Sequence, residues 1–510
     1  MSTHFDFSRG FAFLVAIIAT GTASSTLHSE ERGVTTTSSA ETTTTIDWRQ
    51  STEDISQLAA RYNAPSVSVA VIKDNEIIYT HALGLQDIAS GTTATTATQY
   101  GIGSIVKSFS SALVGSMIED GLLRLDDSPA KLIEGLELPS TDLTQNLRVS
   151  HLLSQTSGLP FMDGSLAFFP EADQIDLVER LAYFDASCRV GDCWSYNNLN
   201  FVLLDMIVES ITGKSKTDLL AERLLQPADL QETLSSTDAF KASPNAATGY
   251  GMSQGQPQAA SVEYLYGEHI YTTASDLARW LDVWMSDGKG LFPTEYAHAA
   301  IATQAIEDGS PPSPDAPGIY LFGYGFGWQT MSFEGHYPVR HGGNENGFTA
   351  HSAFIPAQRL GVVTLTNQQN SILPNIVNDL LMRQLLGLDM PAISDYPVNV
   401  SNVAALISEE EAKLAWLETT KLGMKEGELV GDYTAEGYGL VSVRVNDMAL
   451  MLTTPAWEFV LVPQGNKSFG LASVNPVPLG IVMDFFQVEF GPDRLSMNIA
   501  AEPVVFTRIE

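Results

Sequence analysis

The stretch Tyr100-Gly-Ile-Gly-Ser-Ile-Val-Lys-Ser-Phe109 constrains this chain more than any other. It opens a run in which Phe109, Leu113 and Met117 recur every four residues, with Val106, Val114 and Ile118 beside them. One stripe of the resulting helix is apolar and has to be covered by other elements. Gly121 ends the run in the manner of a helix C-terminal glycine. Ser104 falls at the N-terminal end, where free backbone N–H groups and the positive end of the helix dipole favour a developing negative charge. Lys107 comes three residues on and shares a helical face with it. A serine hydroxyl becomes a useful nucleophile only when a neighbour removes its proton, and a lysine kept partly out of water loses basicity and can do so. The same residues also read as a serine cap followed by a surface lysine. A chain of this length holds about one Ser-x-x-Lys by chance, so the remaining sequence has to discriminate.

Composition narrows the classes. At 510 residues, two or more domains are expected, and 44% hydrophobic with 17% charged residues is globular. A formal charge of -33 repels both nucleic acid and anionic membrane, which leaves a small-molecule or peptide substrate as the expected partner. Phe11 to Ala19 is apolar but too short to span a bilayer, follows Arg9 and precedes the small residues Gly21-Thr-Ala23. Residues 1–23 are therefore expected to be a signal peptide, with an uncleaved anchor as the alternative, and the protein to be secreted without a later membrane span. Residues 24–46, rich in Ser and Thr, read as a flexible linker. The only cysteines, Cys188 and Cys193, are close enough to close a small disulfide loop in an oxidising compartment; two unlinked thiols are the alternative. Asn399-Val-Ser401 and Asn466-Lys-Ser468 are glycosylation sequons that matter only in a glycosylating host.

Along the globular part, Ile55 to Tyr62 predicts a helix, and Ser66 to Ile72 with Glu76 to Tyr79 predicts a hairpin turning at Lys73-Asp-Asn75. His151-Leu-Leu-Ser-Gln-Thr-Ser-Gly-Leu-Pro160 predicts a helix ended by Gly158 and Pro160. His151 there is a packing residue before it is a catalytic one. Trp194-Ser-Tyr-Asn-Asn198 follows Cys193 and precedes an apolar helix from Phe201 to Ile211. Taken alone, Asn198 is a helix cap and Tyr196 a half-buried aromatic. Residues 236–262 read as a polar surface excursion, Ile270 to Trp280 as a turn and a helix capped by Thr273 or Ser275, and Tyr324-Gly-Phe-Gly-Trp328 as a strand whose glycines allow close backbone approach. Arg340-His-Gly-Gly-Asn-Glu-Asn-Gly347 offers backbone access beside a strand, with His341 able to donate a hydrogen bond or move a proton near neutral pH; a glycine-rich turn with a surface histidine is the alternative. Thr349 to Pro356 pairs with Leu360 to Leu365, and Ile376 to Leu386 is helical. A helical connector at 389–425 leads to 426–510, which reads as a small antiparallel sheet or barrel. No metal-ligand cluster, dinucleotide fingerprint or P-loop appears, so neither metal nor cofactor is expected.

Ser-x-x-Lys at 104–107, Tyr-x-Asn at 196–198 and His-x-Gly at 341–343, in that order, resemble the three active-site elements of the serine β-lactamase and penicillin-binding-protein superfamily. The branch they resemble contains class C β-lactamases, D-alanyl-D-alanine carboxypeptidases and esterases, and the HLLSQTSGLP and YGFGW segments fit it. The resemblance covers roughly residues 50 to 388, within a catalytic domain expected at 47–388, and implies an α+β fold, an antiparallel sheet flanked by helices with the site between the sheet and an all-helical region. It also implies roles. Ser104 would attack a carbonyl to give an acyl-enzyme, with Lys107 and Tyr196 sharing the proton and Asn198 orienting Lys107. The backbone N–H groups of Ser104 and Asn344 would form the oxyanion hole, beside Gly342 and Gly343. His341-Gly342-Gly343 stands where lactamases carry Lys-Thr-Gly, so the fixed cation that would meet a substrate carboxylate is absent, and so is the middle hydroxyl. The expectation is a secreted serine hydrolase acting on an ester or amide, a D-configured peptide included. The alternatives are a β-lactamase, a biosynthetic acyltransferase and a non-catalytic binding protein on the same fold.

Overall fold

A computed structural model describes residues 46–161, 178–253, 256–260, 269–313, 317–397, 425–446, 449–465, 467–472, 486–500 and 502–509, with a few residues between 411 and 419. The leader, nearly all of the Ser/Thr-rich stretch, both sequon asparagines (Asn399 and Asn466) and most of the connector lie outside the described residues.

Helix α1 (Trp48–Arg61) precedes β1 (Ser66–Lys73) and β2 (Glu76–Asp87), whose hairpin turns at Asp74 and Asn75, both in left-handed backbone as a tight turn demands. After the short strands β3 (Thr92–Thr93) and β4 (Tyr100–Gly101) come α2 (Val106–Glu119), α3 (Val149–Leu153) and α4 (Leu199–Thr212). The chain then makes β5 (Tyr250–Ser253), β6 (Gln256–Ala259), β7 (Tyr271–Thr272) and α5 (Ala274–Met285). It finishes the large sheet with β8 (Ala305–Asp308), β9 (Phe322–Tyr324), β10 (Gln329–Met331), β11 (Val339–Glu345), β12 (Phe348–Ile355) and β13 (Leu360–Thr366), followed by α6 (Leu373–Leu386).

Nine strands form one sheet in the order β3-β2-β1-β13-β12-β11-β10-β9-β8, and every pairing is antiparallel. Helices cover both faces, so β1 is buried at every position but Lys73, Ser66 and Ser68 included. Its side chains still alternate: Val67, Val69 and Val71 pack with Ile55, Leu58 and Leu380 of α1 and α6, while Ala70 and Ile72 join the core that holds Trp280 and Trp284 of α5. α2 is buried from Lys107 to Met117, not along one stripe only. Three of its four buried serines, Ser108, Ser111 and Ser116, find partners inside, while Ser110 Oγ does not. Ser108 Oγ donates to the Ile105 carbonyl and accepts from Trp280 Nε1, and Ser111 pairs with the Tyr296 hydroxyl. Phe109 stacks on Trp280 with ring centroids 4.1 Å apart.

Three expectations change. The helix after Arg148 stops at Leu153, earlier than Gly158. Residues 236–262 are not a mere surface excursion: Phe240, Ala247 and Tyr250 are buried, and β5 and β6 form a hairpin. Tyr324 to Trp328 is the turn between β9 and β10, because Gly327 takes a left-handed backbone that no strand continues through. The chain ends in a closed eight-stranded barrel: β14 (Gly431–Ala435), β15 (Gly439–Val445), β16 (Leu450–Thr453), β17 (Glu458–Gly465), β18 (Ser468–Ala472), β19 (Gln487–Gly491), β20 (Arg494–Met497) and β21 (Val504–Arg508). β21 returns to pair with β14, which removes both edges, and Val443, Leu452, Phe459, Phe469, Leu495 and Phe506 are buried within this unit.

The sheet's open end is tied by Asn367, which is fully buried. Its Oδ1 accepts from Ser66 Oγ at 2.6 Å, and its Nδ2 reaches the carbonyls of Leu85 at 3.2 Å and Thr248 at 3.0 Å. Asn367→Leu leaves those groups unpaired and is expected to lower the unfolding free energy by about 2–4 kcal/mol, measured by urea titration, with the far-UV spectrum of the folded protein unchanged.

Candidate active site

A short 3₁₀ turn, Gly103–Ile105, presents Ser104 immediately before α2. Lys107, only 4% exposed, reaches back so that its Nζ lies 3.2 Å from Ser104 Oγ and 2.6 Å from Asn198 Oδ1. The same ammonium stands 4.9 Å from the Tyr196 ring centroid and 5.5 Å from that of Phe201. Asn198 occupies the N-cap position of α4, yet its side chain makes no cap bond there. Asn197 Oδ1 accepts from Leu199 N at 2.8 Å instead, while the Asn198 side chain turns to the lysine.

Tyr196 sits on a segment held from two sides. Cys188 and Cys193 form a disulfide just upstream, and Ser195 N donates to the Gln155 carbonyl at 2.9 Å. Gly191 N reaches the Thr156 carbonyl at 2.9 Å and Ser187 N the Gly158 carbonyl at 2.9 Å. The HLLSQTSGLP stretch is thus the backboard of the tyrosine loop. His151 is outside this cluster: its Nδ1 accepts from Arg148 N at 3.2 Å and closes the first turn of α3.

β11 supplies the opposite wall. A methyl group at Gly343 would sit 1.8 Å from the Ile102 carbonyl oxygen and 3.0 Å from Ser104 N, so this strand lies directly against the serine turn. Asn344, next in the strand, has its Oδ1 bonded by Thr349 Oγ1 at 2.8 Å. A methyl at Gly103 would meet Asn344 N at 2.6 Å, so the backbone of Asn344 lies directly against the serine turn. Gly327 closes the third side: a methyl there would meet the Lys107 carbonyl oxygen at 2.6 Å.

His341 differs from its expectation. It is buried, its Nδ1 lies 2.6 Å from the Gly342 carbonyl and its Nε2 lies 3.1 Å from the Tyr324 hydroxyl. Those partners assign the proton to Nδ1 and make Tyr324 the donor to Nε2. Burial, then the Lys107 charge, drives the imidazole down to about 3. His341 is neutral at physiological pH with both nitrogens occupied, so it neither carries a charge nor has an N–H to offer. Tyr324 was not visible as a site residue. Burial and the adjacent Tyr196 raise its phenol well above the usual range, and its ring stands 6.2 Å from that of Tyr196 and 6.2 Å from that of Trp194. A tyrosine inside a glycine-rich turn gave no sequence signal beyond the YGFGW pattern. The Arg340 guanidinium lies over the Phe322 ring near Glu307, whose carboxyl burial lifts to about 7. Among the described residues, no group of three or more His, Cys, Asp or Glu side chains could hold a metal ion, and no helix is long and apolar enough to cross a membrane.

Comparison with known proteins agrees with this geometry. The family model described as Beta-lactamase matches residues 52–386. Protein flp of Staphylococcus aureus (strain MW2) is 23% identical over 323 residues, covering 62% of this chain and 62% of that protein. Unguisins hydrolase ungD of Aspergillus violaceofuscus is 26% identical over 333 residues, covering 60% of this chain and 59% of that one. The chain thus spans about three fifths of the length of these curated relatives. Among solved structures, an octameric penicillin-binding protein homologue from Pyrococcus abyssi superposes with a TM-score of 0.62 at 20% identity over 91% of this chain and 100% of that one. SurE superposes with 0.54 at 20% identity over 90% and 98%.

Two outcomes follow from the geometry. Gly343→Ala is expected to slow labelling of Ser104 by a fluorophosphonate at least ~100-fold, because the methyl displaces the serine turn from the strand amides. The second concerns acid. His341 titrates near 3 when folded and near 6.5 when unfolded. Its proton is therefore taken up by the unfolded chain first, so the folded state loses stability as pH falls from about 6.5 toward 3. His341→Gln removes one such proton, and the stability of that variant, followed by urea titration, should fall less steeply with acid than wild type by up to about 1.4 kcal/mol per pH unit.

Proposed function

We propose that this chain, which belongs to the Beta-lactamase family, is a secreted serine hydrolase of the esterase and D-stereospecific peptidase kind, acting through an acyl-enzyme on Ser104. One observation carries the reading: Lys107 Nζ stands within 3.2 Å of Ser104 Oγ and 2.6 Å of Asn198 Oδ1, with the Tyr196 ring 4.9 Å away. In the proposed reaction the Lys107 ammonium favours Tyr196 as phenolate, and the phenolate takes the Ser104 proton as Oγ bonds to the substrate carbonyl carbon. The carbonyl oxygen gains its charge between the amides of Ser104 and Asn344. As the carbon–leaving group bond breaks, Tyr196 returns the proton to the departing oxygen or nitrogen. Water then repeats the sequence on the acyl-enzyme and releases Ser104. Asn198 holds Lys107 in place throughout.

The substrate class follows from charge. Lys107 is committed to the proton relay, and His341 is neutral where a lysine would give a fixed cation. A substrate whose recognition depends on a free carboxylate finds little to bind, which disfavours β-lactams and C-terminal carboxypeptides and favours esters and internal or amidated peptide bonds. That one relative is named a hydrolase supports release to water over transfer to a biosynthetic acceptor.

The test is a panel of p-nitrophenyl butyrate, D-alanine p-nitroanilide and nitrocefin. The ester or the anilide should exceed nitrocefin in kcat/KM by at least ~10-fold, and Ser104→Ala should lower turnover at least ~1000-fold and abolish fluorophosphonate labelling. Nitrocefin as the best substrate would make the protein a β-lactamase, and an unlabelled Ser104 in the wild type would make it a binding protein.

A further inference from the structure

Tyr196 is suspended from a single residue of another segment. The residue before it, Ser195, donates its N–H to the Gln155 carbonyl at 2.9 Å, and the residue after it, Asn197, donates its N–H to Gln155 Oε1 at 3.0 Å. The same Oε1 also accepts from Asn200 Nδ2 at 2.5 Å, so the first turn of α4 is tied to the same atom. Gln155 is fully buried and takes a left-handed backbone, φ 59°, which is uncommon for a residue that is not glycine, asparagine or aspartate. That conformation is what allows both its carbonyl and its side chain to face the 195–200 segment. The carboxamide nitrogen is buried and completes no hydrogen bond, yet lies close enough to the Tyr324 hydroxyl to favour its ionised form. Tyr324 in turn donates to His341 Nε2. A leucine or alanine in this turn would fill the space but could not bridge the two amides that bracket Tyr196.

We infer that Gln155 is a positioning residue for the proton relay: its carbonyl and carboxamide oxygen together fix the loop on which Tyr196 approaches Ser104 and Lys107. Gln155 touches no reacting atom. It acts by setting the reach of the Tyr196 phenol, where a displacement of the order of 1 Å costs about 100-fold in rate. The inference rests on the reading of Tyr196 as the group that carries the proton.

The experiment compares Gln155→Leu, Gln155→Glu and Tyr196→Phe with wild type on p-nitrophenyl butyrate, counting competent sites by fluorophosphonate labelling. Gln155→Leu removes the acceptor and is expected to lower kcat per labelled site about 30- to 100-fold while KM stays within about 3-fold. Gln155→Glu keeps an acceptor at the position and should recover at least about 10-fold of that loss. Its added negative charge disfavours a phenolate, so the ascending limb of its kcat/KM profile should move to higher pH by about one unit. Wild-type kcat per labelled site in Gln155→Leu overturns the inference. Should that variant not fold, an unshifted limb in Gln155→Glu overturns it. Tyr196→Phe separates the two claims: if it keeps full activity the proposed relay itself fails, whereas an inactive Tyr196→Phe beside a fully active Gln155→Leu sinks only the role given to Gln155.

Discussion

A lysine ammonium held out of water is the constraint around which the large domain is arranged. Lys107 is 4% exposed, and a charge so placed is tolerable only with close partners. Asn198 Oδ1, Ser104 Oγ and the Tyr196 and Phe201 rings supply them, from elements nearly a hundred residues apart. Each neighbour had to adapt. Asn197 takes the capping bond while the Asn198 side chain turns to the lysine, and Gly327 lets the β9–β10 turn close against the Lys107 carbonyl. α2 is buried on nearly all sides, and Ser108 and Ser111 find the Ile105 carbonyl, Trp280 and Tyr296 as partners. A helix serving only as a core strut would carry alanine or leucine at those positions.

What the sequence displayed and what it hid divides along physical lines. Local chemistry was legible. The hairpin at Asp74 and Asn75, the Gly213 and Gly121 helix stops and the Thr273 cap all stand where turn and capping preferences put them. Strands β12 and β13 were legible because runs rich in β-branched and aromatic residues stand on either side of a Pro-containing turn, and both strands are buried throughout. Ser104, Lys107, Tyr196, Asn198 and His341 were singled out as motifs at element boundaries, and the fold brings them into one cluster. Gln155 and Tyr324 were not singled out, because nothing local distinguishes them. Their significance lies in bonds to residues far away in sequence, and a polar residue in a turn or an aromatic beside glycine has many uses. Residues 236–262 looked superficial for a related reason: Phe240, Ala247 and Tyr250 are isolated apolar positions in a polar stretch, without periodicity to betray their burial.

The barrel illustrates another limit of periodicity. Alternation in Val441-Ser-Val-Arg-Val445 marks a strand but does not say whether the sheet closes. Closure comes from β21 pairing back onto β14, a contact between the two ends of the unit. Its β14–β15 turn also meets the large domain, where Tyr438 stands edge-on to Phe184 with ring centroids 5.3 Å apart. Phe184 lies a few residues before Cys188, so the barrel abuts the segment that leads into the disulfide and the tyrosine loop. The loop is therefore braced on three sides: by the disulfide, by the Gln155 turn and, through its upstream segment, by the barrel.

The replacement of lysine by histidine at 341 bears most on what the site recognises. A second ammonium so near Lys107 would repel it and would itself need desolvating. A neutral imidazole avoids this. Its two nitrogens are occupied by Tyr324 and by the Gly342 carbonyl, so it stiffens the wall and leaves the field at Tyr196 to Lys107. On the proposed reading, recognition of substrate then falls to shape, to backbone amides along β11 and to the flat faces of Trp194, Tyr196 and Tyr324, whose ring centroids lie 6.2 to 6.4 Å apart. Those are contacts that favour an uncharged acyl group, because an apolar or aromatic surface loses nothing on leaving water whereas a carboxylate loses its hydration and gains no counter-charge. In the proposed reaction, the same exchange that weakens binding of an anionic substrate thus leaves the chemistry at Ser104 intact. It separates the site's ability to form an acyl-enzyme from the charge recognition that a lysine at 341 would add.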